Sequence, residues 1–223
     1  MTEDVLHSID GFIAEIVLNR PQKLNAVTPA MAAHIEALCA AFDKDDAVRV
    51  VLLRGSAERA FCAGSDLNSL AEYPSAWKFR NRVEYATSVR NLRKPVVAAL
   101  RGWVGGGGAS QMLPRLVGYG QAMRLLLTGD PIEAEEAFRL GLVEYLVEDA
   151  EVEAKARALC AQLAGFSPVA VEAVKASVRT ALSSALPAGL AYENEMNTLC
   201  FAAGDHMEGI KAFREKREAS FSR

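Results

Sequence analysis

Two short segments of the chain hold residues that pack poorly and present main-chain hydrogen-bond donors well. The first is Ala60-Phe-Cys-Ala-Gly-Ser-Asp-Leu67, soon after an apolar run that ends at Arg54. Gly64 permits a sharp turn there, so the amide of Ser65 can point into a cavity instead of a strand ladder. The second is Gly102-Trp-Val-Gly-Gly-Gly-Gly108, directly after a run that ends at Leu100. Four consecutive glycines let a ligand approach the main chain, and a helix opening there would offer its unsatisfied N–H groups to an anion. Either segment alone also fits a tight strand-to-helix turn.

Other chemistries fit less well. No Lys-Ser/Thr pair follows the glycines, as a phosphate loop requires, and a hundred residues precede a run that in a dinucleotide fold would open the first βα turn. Ser65 and Ser110 both miss the G-x-S-x-G pattern of serine hydrolases, and His7, His34 and His206 stand in no recognisable relation to either. Cys39, Cys62, Cys160 and Cys200 are too scattered for a zinc site or a disulfide framework, so they read as small buried hydrophobes in a reducing cytoplasm, with no metal expected.

The elements that must position these segments are legible. Phe12–Leu18 is rich in β-branched residues and stops before Pro21; Val48–Leu53 and Pro95–Leu100 are apolar runs, each closed by Arg-Gly. Thr28-Pro29 supplies an N-cap and a first-turn proline, after which Met31, Ile35, Leu38 and Phe42 form one apolar helix face. Strands separated by helical stretches predict an α/β fold with parallel strands. From Gln121 onward the period is helical, with Leu142–Val147 as one late strand candidate. Four helices are then expected over Val152–Leu163, Pro168–Leu182, Gly189–Phe201 and Met207–Ala219.

The 223 residues carry 25 basic and 28 acidic side chains, a net charge of −3, with 51% apolar and 24% charged residues. That length and composition suit one compact domain or a domain with a helical appendage, and exclude long disorder. Without a basic run there is no electrostatic footprint for nucleic acid or anionic lipid. No apolar stretch approaches the ~20 residues of a membrane span, and the acidic start, with Glu3, Asp4 and Asp10, does not read as a signal peptide.

Taken together, the motifs resemble the crotonase family of enoyl-CoA hydratases, isomerases and their relatives. The matching stretches are Leu18-Asn-Arg-Pro-Gln-Lys-Leu-Asn-Ala26, Ala60–Leu67, Lys94-Pro-Val-Val-Ala-Ala-Leu-Arg-Gly102, Leu113-Pro-Arg-Leu-Val-Gly118, Ala134–Val143 and Glu208–Arg217, in order and almost end to end. The resemblance implies a ββα spiral core over 1–150 and a C-terminal helical trimerisation region over 151–223. It also implies an acyl-CoA thioester substrate whose carbonyl becomes an enolate held by the amides of Ser65 and Gly107. Coenzyme A would lie along Gln22, Lys23 and Leu24, near Ala63, Asp66 and Leu67, with Phe213 and Lys216 reaching a neighbouring subunit's ligand. Asp66 also reads as a turn former, and Lys216 as a solvated helix lysine. No separate cofactor is implied, and a homotrimer or homohexamer is.

The pattern breaks between Gly108 and Ser110. A few dozen residues that the family places between two glycine turns are absent, and the turns are fused. Of the two glutamates that hydratases of the family use, the first position is Ser110, which cannot shuttle a proton as a carboxylate can. The second has no counterpart, and Glu72 and Glu84, in the variable stretch after the first loop, are assigned no role. Three accounts stay open: a segment missing from the written sequence, which the loss of a buried helix and strand favours; an in-frame deletion; or a natural minimal relative. The function expected is hydration or isomerisation of an enoyl-CoA; the alternative is a non-catalytic thioester-binding subunit without the glutamates.

Overall fold

The computed structural model describes residues 4–56, 60–71, 73–100 and 108–221. Four strands form one sheet in the order β1 (Val5–Asp10), β2 (Ile13–Leu18), β3 (Val50–Gly55) and β4 (Val96–Ala99). β1 and β2 are an antiparallel hairpin with Asp10 opposite Ile13, while β2–β3 and β3–β4 are parallel. Parallel pairing requires crossovers. The first is α1 (Pro29–Lys44); the second is a run of short helices, α2 (Leu67–Ala71), α3 (Ala76–Arg80) and α4 (Tyr85–Asn91).

Helix α1 begins where capping chemistry places it: Thr28 Oγ1 accepts the Met31 N–H at 3.2 Å and Pro29 occupies the first turn. Its buried face, including Met31, Ile35, Leu38 and Phe42, packs with Ala14, Ile16, Leu18 and Val51 on one side of the sheet. Strand alternation sends Val50, Leu52, Val97 and Ala99 to the other side. There α8 (Val152–Ala164) covers them with Ala156, Cys160 and Ala164. Glu15 points to that second face too, almost fully buried, and is paired with Arg54 and with Arg157 of α8, the latter at 3.1 Å.

The remaining helices are α5 (Ala109–Val117), α6 (Tyr119–Thr128), α7 (Ala134–Arg139), α9 (Pro168–Ala181), α10 (Leu186–Ala203) and α11 (Asp205–Glu215). The four C-terminal helices lie where periodicity puts them, α11 ending early because Lys216 turns left-handed at φ +52°. Leu142–Val147 is not a strand: Gly141 ends the preceding turn at φ +74°, and Tyr145 and Leu146 stay exposed with no strand beside them among the described residues.

Candidate active site

The turn at Gly64 runs at φ +89°, a conformation that glycine adopts without a Cβ penalty. It brings Ser65 into a lone parallel bridge with Val27. Val27 N–H donates to the Gly64 carbonyl at 2.8 Å, and Asp66 N–H donates to the Val27 carbonyl at 2.9 Å. Successive amides of an extended segment point to opposite sides. The half-buried Ser65 amide therefore faces away from Val27, and no described residue accepts its hydrogen bond.

Long-range contacts fix that turn. Asn25, fully buried at φ +57°, accepts the Arg20 N–H through Oδ1 at 2.9 Å and donates through Nδ2 to the Ala60 carbonyl at 3.0 Å. Gly55 sits so close that a Cβ there would lie 2.7 Å from Asn25 Nδ2 and 2.8 Å from Ala60 O. Arg20 Nη1 donates to the Ala26 carbonyl at 2.7 Å and to Asp66 Oδ2 at 3.0 Å. The other Asp66 oxygen accepts the Asn68 and Ser69 amides at the start of α2. The Ser69 amide and the Arg20 guanidinium hold the Asp66 carboxyl below the usual carboxylate range. Arg20 and Asn25 had no assigned role in the sequence; their partners lie 46 and 35 residues away.

Ser65 also borders a small depression lined by Val27, Thr28, Asp66, Arg82, Glu84 and Tyr85 among others. Tyr85 lines the same depression as Ser65, and burial is the chief cause that raises its hydroxyl pKa. Glu84 precedes α4 and forms an ion pair with Arg82, which also donates to the Phe79 carbonyl at 2.9 Å. Glu84 is thus a carboxylate beside Ser65, at a position to which no motif pointed. Cys62 accepts the Gly64 N–H at 3.3 Å, and burial pushes its thiol up.

The expected site residues divide into groups. Leu24 and Ala63 are joined by an Ala63 N–H bond to the Leu24 carbonyl at 2.9 Å, next to Ser65 and Asp66. Gln22 and Lys23 are exposed on a 3-10 turn beside them, and Leu67 is 80% exposed at the start of α2. Phe213, 85% exposed, and Lys216 stand at the end of α11, make no hydrogen bond to this cluster and do not line its depression. Gly107 and Glu72 lie outside the described residues. Ser110 is exposed in the first turn of α5, behind Gly108 at φ +90°. Among the described residues no three His, Cys, Asp or Glu side chains cluster as metal ligands, and no helix is long and apolar enough to cross a membrane.

A mixed four-stranded sheet flanked by α1 and α8, with a glycine-turned amide beside it, defines a class that the comparisons identify. Two models described as enoyl-CoA hydratase/isomerase match residues 13–112 and 108–223. The chain belongs to that family, the crotonase superfamily. It is 33% identical to a probable enoyl-CoA hydratase of Rhizobium meliloti, with 98% of each chain covered. It is 29% identical to the crotonyl-CoA hydratase of Syntrophomonas wolfei, again over 98% of each. An enoyl-CoA hydratase crystal structure from Geobacillus kaustophilus superposes with a TM-score of 0.90 at 29% identity, covering 99% of this chain and 98% of that one. Another from Bacillus anthracis gives 0.91 at 27% identity over 98% and 99%. Such neighbours carry the crotonase fold, and the mixed α/β architecture with its C-terminal helices conforms to it.

The alignment with the Rhizobium protein runs over 261 positions, so at least 38 of them face no residue of this 223-residue chain. The two family matches overlap at 108–112.

Proposed function

We propose that the protein binds an acyl-CoA thioester and stabilises its enolate with the main-chain amides of Ser65 and Gly107, in support of enoyl-CoA hydration or isomerisation. The observation that carries this reading is the Ser65 amide, turned away from Val27 by Gly64 and without an acceptor among the described residues. An amide fixed in place before the reaction loses no reorganisation energy when charge develops on the thioester oxygen. Leu24, Ala63, Asp66 and Leu67, with Gln22 and Lys23 alongside, would form the wall against which coenzyme A lies. Coenzyme A is then part of the substrate, and the chemistry calls for no further cofactor.

Proton transfer falls to other groups than the family's glutamates. Ser110 carries no carboxylate, whereas Glu84 and Tyr85 line the same depression as Ser65. Asp66 is engaged by Arg20, Asn68 and Ser69 and serves to hold the turn. One carboxylate is enough to move a proton between two carbons, while addition of water draws on an acid and a base together.

A second reading rests on the shortened glycine region: a thioester-binding subunit without turnover. Calorimetry with butyryl-CoA and an absorbance assay with crotonyl-CoA on the same preparation separate the two. Turnover that Gly107→Pro abolishes supports the enzyme; binding without turnover supports the subunit. Phe213, Lys216 and the exposed apolar faces of α9–α11 are assigned to contacts between copies in a homotrimer or a dimer of trimers. The four unbonded cysteines suit a reducing cytoplasm.

A further inference from the structure

A cleft of about 330 Å³ opens away from Ser65, between α9, α10 and the residues leading into β3 and β4, and shares no lining residue with the Ser65 depression. Leu92, Val169, Met196 and Leu199 give it apolar walls. Its cationic side chains are mostly committed: Arg93 faces Glu172 at 3.4 Å, Arg179 donates to Asn91 Oδ1 at 2.9 Å, and Lys94 donates to the Asp45 carbonyl. Lys175 differs. Its Nζ donates to the Lys94 carbonyl at 2.6 Å, and among the described residues no carboxylate pairs with it. A half-buried ammonium with one neutral hydrogen-bond acceptor is weakly stabilised, although the Asp43 and Glu172 carboxylates and the Cys39 thiol lie near enough to act on it. Burial, then the nearby Arg179 charge, bring Lys175 down to about 8.

We propose that Lys175 is an acyl-acceptor site, at which the ε-amine attacks the carbonyl carbon of an acyl thioester lodged in this cleft. The N–C bond forms as the C–S bond breaks. The electron pair leaves on sulfur, the amine's proton goes to the departing thiolate, and the products are an Nε-acyl-lysine and a free thiol. The cleft suits a short acyl chain, since its walls are apolar and its volume lies near the lower end for small-ligand sites, ~300–1,000 Å³. Arg93 and Arg179 are exposed at the rim, and the phosphates of coenzyme A would compete there with Glu172 and Asn91 for them. Coenzyme A as the carrier rests on the reading of the Ser65 site; the amine and its cleft do not.

The test incubates the full chain at pH 8 with butyryl-CoA and, separately, with S-butyryl-N-acetylcysteamine, and follows each lysine by peptide mass spectrometry. At that pH an ordinary lysine is neutral in only a few molecules per thousand, so Lys175 is expected to acylate about tenfold or more faster than the exposed Lys155 and Lys211. Its rate should level off above about pH 8. Met196→Trp, which fills the cleft, and Arg179→Gln, which leaves its shape, should each slow Lys175 several-fold and leave Lys155 unchanged. Lys175 reacting no faster than Lys155, or indifferent to both variants, overturns the proposal. Selective reaction with the small thioester but not with butyryl-CoA upholds the amine site and counts against coenzyme A binding.

Discussion

The loops around Ser65 and the C-terminal helices treat their side chains in opposite ways. In the first region Arg20, Asn25 and Asp66 are almost wholly engaged within one chain, and Gly55 leaves no room for a Cβ. In the second, α10 buries none of its residues, and Leu186, Val174, Phe201 and Phe213 are all more than 60% exposed. By contrast α1, shorter by two residues, buries six. A turn that presents a backbone donor must be rigid before substrate arrives, so its determinants belong to the same chain. Helices that leave this much apolar surface in water are built for a partner, and the proposed trimer supplies one.

Four experiments break or sharpen that contrast. Asn25→Leu removes both side-chain hydrogen bonds of Asn25, one within its loop and one to Ala60, and strands their partners, so urea unfolding should show a loss of about 3 kcal/mol. If stability is unchanged, the loop lattice is not what holds the turn. Val174→Asp combined with Phe213→Asp should leave the monomer's circular dichroism intact and shift sedimentation from trimer or hexamer to monomer. A wild-type chain that sediments as a monomer at tens of micromolar refutes the partnered-helix account.

Asp66 tests the pH side. Its folded pKa lies below the unfolded one, so its contribution is present above about pH 4, the unfolded value, and is lost as pH falls through the folded value. Wild type should therefore lose more stability than Asp66→Asn on acidification from pH 5 to pH 3, and equal losses would remove Asp66 from the lattice. Thr28→Ala, which deletes the α1 cap, should cost about 1 kcal/mol without touching the loop contacts. A larger loss would mean that α1 and the turn unfold together.

The sequence made β2, β3, β4, α1 and the four C-terminal helices legible because burial imposes period two or period 3.6 on them. β1 escaped because only Val5 of its six residues is buried, so no apolar pattern exists to read. The Asp10-Gly11 turn, with Gly11 at φ +55°, was its available signal. Leu142–Val147 misled for the reverse reason: it is apolar without being covered. At the site, motif position placed Ser65 on a turn beside Leu24 and Ala63. It assigned no role to Glu84 and Tyr85, which share a depression with Ser65 through the packing of α4 on α1 and not through spacing in the chain.

The central claim is that the Ser65 and Gly107 amides share one thioester oxygen. Exchange of the α-protons of butyryl-CoA in D₂O, followed by mass spectrometry, reads enolate formation without requiring hydration. The chain should exchange them well above the buffer rate, and Ser65→Pro, which removes one N–H donor, should slow exchange by about 10²–10³-fold while binding persists. Tight binding of butyryl-CoA with exchange no faster than in buffer would contradict the claim.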